Sequence, residues 1–120
     1  MRISVSTKDG IAHIKISGNM ILDETLFLLR DEVKKGLESG VQRFIVDLAE
    51  VPHIDSSGCG EVIRIYSSIV KAQGTVTFVS LTDRVRVLWN RIRLTDVFHV
   101  FETTDDAQTF LLKTFGVAGT

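Results

Sequence analysis

Between a short apolar run and an apolar-striped segment, the chain sets Asp55, Ser56, Ser57, Gly58, Cys59 and Gly60 in succession. A carboxylate beside two hydroxyls offers three kinds of chemistry. A hydroxyl at a loop tip can accept a phosphoryl group, which adds about −1.5 to −2 charges. It can instead cap a helix by accepting a backbone N–H. With a base in reach, it can act as a nucleophile. The glycines allow close backbone approach and leave a helix N-terminus open to an anion.

The catalytic readings weaken on spacing. His53, Asp55 and the two serines lie within a few residues of one another, whereas a catalytic triad converges from separate elements, and no G-x-S-x-G elbow is present. Gly58 and Gly60 form a G-x-G after a strand, but Ile63 stands where the third glycine of a dinucleotide fingerprint belongs, and no Walker lysine follows. His13, His53 and His99 fall on different elements and, with one cysteine, make no metal-ligand spacing. Cys59 reads as a small apolar packing residue rather than a redox handle. The expectation is a protein with no catalytic residues, no metal and no cofactor of its own.

The elements that must position this loop can be read in order. Alternation over residues 3–7 and 11–17, joined by Lys8-Asp9-Gly10, predicts an N-terminal β-hairpin. Asp23 is a candidate N-cap, and Leu26, Leu29, Val33 and Leu37 repeat at helical spacing, predicting a first helix over 22–38 that ends at Ser39-Gly40. The continuous apolar run over 44–48 suits a strand buried on both faces. After the loop, Val62, Ile65, Tyr66, Ile69 and Val70 stripe a second helix, closed by Gln73-Gly74. A β-branched strand over 75–81 follows. Thr82-Asp83 is placed to cap a third helix with inner face Val85, Leu88, Trp89 and Ile92. A short strand over 97–101 leads to a last helix opened by Thr103-Thr104-Asp105-Asp106, with Ala107, Phe110 and Leu111 inside and a frayed tail over 116–120. Pro52, the single proline, holds the approach to the loop extended. Strands alternating with helices imply one α/β domain over 1–120: a mixed, mostly parallel sheet with about four helices.

Composition fits this. At 120 residues, 44% hydrophobic and 24% charged, the chain is that of a globular protein with one core. A net charge of −1 gives no long-range attraction to nucleic acid or anionic membrane. One cysteine fits a reducing compartment, and neither a membrane span nor a signal peptide is legible, so a cytoplasmic location is expected. Arg84, Arg91 and Arg86, Arg93 border the third helix's apolar stripe on two flanks, which reads as solvated borders rather than a nucleic-acid face.

The run Ile54-Asp55-Ser56-Ser57-Gly58-Cys59-Gly60, with its apolar strand before and striped helix after, resembles the STAS domain of bacterial anti-sigma factor antagonists. The likeness extends over about residues 14–111; Cys59 departs from the larger aliphatic residue common at its place. The resemblance implies phosphorylation of Ser56 by a partner kinase. It implies that the unmodified form binds an anti-sigma factor that is also a serine kinase, freeing a sigma factor, and that a serine phosphatase resets the phosphorylated form. Asp55, Ser57 and Gly58 would form the recognition loop. Ile54 joins them as a partner-binding candidate, although it and Val51 could equally be core. The alternative is the same STAS fold as a scaffold subunit of a regulatory or membrane-transport complex.

Overall fold

The computed structural model describes the backbone of residues 1–118 and the side chains of residues 1–113. In chain order the elements are β1 (Arg2–Lys8), β2 (Ile11–Ser17), α1 (Leu28–Glu38), β3 (Arg43–Glu50), α2 (Ser56–Lys71), β4 (Thr75–Val79), α3 (Asp83–Arg91), a 3-10 turn (Leu94–Asp96), β5 (His99–Phe101) and α4 (Thr104–Ala118). The strands form one sheet in the order β1-β2-β3-β4-β5, antiparallel between β1 and β2 and parallel elsewhere. This is the α/β class, hairpin and mostly parallel sheet that the alternation predicts. The hairpin turn takes φ 55° at Asp9 and 76° at Gly10, the paired left-handed residues that match the twist of two antiparallel strands.

Because strand order follows chain order, crossovers of one hand place successive helices on the same face. Accordingly α1, α2 and α3 bury Leu29, Val33, Val62, Ile65, Ile69, Val85 and Trp89 against Ala12, Ile14, Ile16, Phe44, Val46 and Phe78. The opposite face has α4, with Ala107 and Leu111 packed on Ile11, Ile45 and Val79. Strand β3 contributes to both clusters, which is why its apolar run is continuous rather than alternating. Thr77, fully buried beside it, donates its hydroxyl to the Phe44 carbonyl at 3.2 Å, so no polar group is stranded there. Trp89 anchors an aromatic cluster, with its centroid 5.4 Å from both Phe78 and Phe98 in edge-on geometry.

Several boundaries differ from the pattern reading. The first helix begins at Leu28 because Asp23 accepts both the N–H (2.8 Å) and the hydroxyl (2.6 Å) of Thr25, making a local turn in place of a cap. Strand β3 runs on to Glu50, and β4 stops at Val79, before the left-handed Ser80. Helix α2 closes with Gln73, not Gly74, in the left-handed position, and the Gly74 N–H returns to the Ile69 carbonyl. Gly74 is still required, since a Cβ there would lie 2.7 Å from the Gln42 oxygen. Thr82 occupies the N-cap position of α3 but sends its hydroxyl to the Val51 carbonyl at 2.9 Å. Ile92 lies outside the core at 45% exposure because α3 ends at Arg91, and Leu94 and Phe98 fill the place instead. Strand β5 is shorter than the expected 97–101, and Val97 is exposed. Helix α4 continues through Ala118, so 116–118 are helical; the rest of the expected tail, 119–120, lies outside the described residues.

The aromatic cluster makes Trp89 the costliest single truncation in the core. Trp89→Ala is expected to lose about 3–5 kcal/mol of folding stability, seen as a lower urea midpoint with an unchanged m-value.

Candidate functional site

The site forms where the exits of β2 and β3 meet the first turn of α2, at the carboxyl ends of parallel strands where α/β sheets place ligands. Beyond β2, the Met20 N–H donates to the His53 carbonyl at 3.0 Å, and the Asp55 N–H donates to the Met20 carbonyl at 3.1 Å. This parallel bridge between Met20 and Ile54 carries the pairing of the two strands past their ends. The helix then starts at Ser56, with Asp55 as N-cap in extended conformation.

Asp55 joins two segments. Its Oδ1 accepts the Gly58 N–H at 2.8 Å, closing the first turn of α2, and its Oδ2 accepts the Leu22 N–H at 3.2 Å. The Gly58 N–H is the main cause that holds this carboxyl below the usual range; burial opposes it and the Leu22 N–H assists. Since Asp55 is the cap, neither serine has to be. Ser56 is exposed at the first helical position, and its hydroxyl bonds to no described residue. Ser57 is half-buried beside it.

The other candidates are structural. Ile54 is only 1% exposed and belongs to the core, the second of the two readings its sequence left open, so it can shape a partner site only as buried lining. Gly58 is buried under the β2 exit: a Cβ on it would lie 2.2 Å from the Met20 oxygen and 2.7 Å from Ile54 Cγ2. Gly60 meets nothing within 4 Å and carries no such constraint. Cys59 is buried against Trp89, and that burial raises its thiol pKa, so it packs as the sequence suggested.

Two features escaped the sequence reading. Glu61, 3% exposed, accepts Arg30 of α1 and lies 3.4 Å from Arg64, pinning α1 to α2. The signal was present: helical spacing puts Glu61 four residues before Ile65, a carboxylate on an apolar stripe. The second is an apolar surface beside the serine. Leu22, whose N–H Asp55 holds, is 67% exposed, and Ile63, two turns from Ser56 on the same face of α2, is also exposed. Phe27 and Leu28 at the start of α1 are exposed as well. Among the described residues, no three His, Cys, Asp or Glu side chains gather as a metal site, and no helix is long and apolar enough to cross a membrane.

The family model of the STAS domain matches residues 2–107. The chain belongs to the STAS domain family. That match takes in β1, which the resemblance left out, and stops at Ala107, at the start of α4. Similar solved structures include an anti-sigma factor antagonist from Mycobacterium paratuberculosis (22% identity, TM-score 0.78, 92% of this chain and 92% of that chain covered). Another is the Bacillus cell fate determinant SpoIIAA in its phosphorylated form (14% identity, TM-score 0.69, 90% and 97% covered). A third is a sulfate transporter family protein from Wolinella succinogenes (21% identity, TM-score 0.69, 96% and 93% covered). At these identities the likeness is one of STAS fold.

The two glycines of the loop should separate cleanly. Gly58→Ala is expected to destabilise the chain by about 1–3 kcal/mol through overpacking, whereas Gly60→Ala, in open helix, should stabilise it by about 0.5–1 kcal/mol; urea unfolding of both variants measures this. Asp55→Asn tests the cap by pH. Because the folded carboxyl is held below its unfolded value of about 3.9, its ionic contribution is full above that value. It is lost as pH falls through the folded pKa. The stability gap between wild type and Asp55→Asn should therefore be widest near neutrality and close in acid.

Proposed function

We propose that this STAS domain is an anti-sigma factor antagonist that works as a phosphorylation-controlled binding switch and has no catalytic activity of its own. The unmodified chain binds an anti-sigma factor that is also a serine kinase, and so frees a sigma factor. The kinase phosphorylates Ser56 with its own ATP, which ends the complex, and a separate serine phosphatase restores the binding form. The observation that carries this reading is the Ser56 hydroxyl, exposed at a helix start and relieved of capping by Asp55. Membership of the family, and the existence of a phosphorylated form among proteins of this fold, support it.

The energetics allow such a switch. A phosphate at the first helical residue meets the unpaired N–H groups of the helix N-terminus, a favourable effect of about 0.3–1 kcal/mol, so the fold survives modification. In an interface, the same dianion is desolvated beside Asp55 and repels acidic groups facing it, at a cost of several kcal/mol. Leu22, Phe27, Leu28 and Ile63 supply the apolar surface such an interface buries. Asp55 and Ser57 form its polar contacts around Ser56, with Gly58 and Ile54 fixing the loop from below.

A permanent scaffold role in a membrane-transport complex is the competing reading, favoured by the likeness to the Wolinella structure. The two differ in their response to charge at residue 56. In the switch, Ser56→Ala retains binding to the kinase while Ser56→Asp loses about a hundredfold or more in affinity, and mass spectrometry of the chain from its native cells finds phosphate on Ser56 whose occupancy changes with growth condition. Equal affinity of Ser56→Asp and wild type, with residue 56 unmodified in every condition while the kinase is expressed, gives the scaffold.

A further inference from the structure

The four arginines around α3 are not equivalent. Arg86 lies 3.4 Å from Glu102, and the exposed Arg93 lies 3.6 Å from Asp96, so each of these two has a carboxylate neighbour. Arg84 and Arg91 have no carboxylate partner among the described residues. Both line a cavity of about 210 Å³ between α3 and the segment that leads into Asp55, with His53 on the opposite wall. Ile54, Val85 and Leu88 make its apolar lining, and Val87, 55% exposed, lies between the two arginines. The Thr82 hydroxyl bond to the Val51 carbonyl fixes the two walls against each other, so the cleft is a built feature of the fold.

We propose that this cleft receives an acidic, apolar-centred segment of the protein partner that engages the Ser56 loop. Volume argues against a small-molecule pocket, since those run to about 300–1,000 Å³, while 210 Å³ suits one or two side chains. Arg84 and Arg91 are seven residues apart on one helix face, so their roots stand about 10 Å apart along the axis. Two long guanidinium side chains at this spacing reach either two separate carboxylates or one shared phosphate. Two carboxylates on one face of an extended segment stand four residues apart, about 13 Å at ~3.3 Å each, because successive side chains alternate faces, and the long arginine side chains splay to meet them. The middle residue, on the same face as the two carboxylates, then lies over Val87 and Leu88. The cleft's wall at His53 and Ile54 runs directly into Asp55, so a partner covering Ser56 extends over it without a gap. The proposal rests on the switch reading for the partner's identity, but not for the chemistry of the cleft.

The test uses the full chain, 15N-labelled, and a blocked Asp-Ser-Leu-Ser-Asp peptide. Its Asn-Ser-Leu-Ser-Asn counterpart, inorganic phosphate and a single-stranded oligonucleotide serve as competing probes. The acidic peptide is expected to shift the amides of His53, Val87, Leu88 and Arg91, and the Asn peptide to shift none. Arg84→Glu with Arg91→Glu should weaken peptide binding at least about tenfold with an unchanged urea midpoint, while the same charge change at exposed positions outside the cleft, Lys34→Glu with Lys71→Glu, leaves it unaltered. No shift with the acidic peptide, equal shifts with the Asn peptide, or stronger shifts with phosphate or oligonucleotide would overturn the proposal. Peptide binding in a chain whose Ser56 proves not to be a switch sinks only the functional reading. A working switch whose kinase binds the double arginine variant as tightly as wild type sinks only the cleft.

Discussion

The missing Cβ at residue 58 is the constraint on which the site depends. With any side chain there, the first turn of α2 would collide with the Met20 carbonyl, an atom held in place because it accepts the Asp55 N–H. Main-chain atoms do not move aside as flexible side chains do, so the helix could start here only by breaking the bridge that extends β2 and β3. Gly58 thus fixes how near α2 comes to the β2 exit, and this nearness is what lets Asp55 reach the Leu22 N–H and the Gly58 N–H together.

From that arrangement follows a division of labour between a carboxylate and a hydroxyl. In many helices a serine at the start accepts the first free N–H groups itself. Here Asp55 does so, one residue earlier, and Ser56 faces solvent at the positive end of a sixteen-residue helix. Deeper in the same helix, Glu61 engages Arg30 of α1, whose guanidinium also stacks 5.0 Å from the Phe27 ring. The apolar residues at the start of α1 are therefore tied to the helix that displays Ser56, so the loop and its neighbouring surface behave as one body.

How much of this was legible in the sequence depended on whether the signal was local. The hairpin showed itself in Asp9-Gly10, the buried strand in the unbroken run through Phe44, Ile45 and Val46, and the helix stripes in Val62, Ile65 and Ile69. The loop was found because its hydroxyls and carboxylate are adjacent in the chain. Asp23 misled because an aspartate that caps a helix and one that closes a short turn look alike in one dimension. Ile54 stayed open for a related reason: apolar residues near a surface loop carry no mark saying which way they point. Glu61 and Arg30 are paired across 31 residues, and nothing in either neighbourhood names the other. Gly58 looked like a permissive loop glycine, and its obligation to the Met20 oxygen exists only once β2 and α2 are side by side.

The bond from Asp55 to the Leu22 N–H spans 33 positions of chain, with α1 and β3 between its ends. The display of Ser56 at a helix start is accordingly not a property of the heptapeptide that contains it. It exists only where the whole β2-to-α2 unit has closed. A nascent or partly unfolded chain carries Ser56 in its sequence without presenting it in this form. A partner that reads the loop by its shape therefore distinguishes the folded β2-to-α2 unit from an unfolded chain of the same sequence.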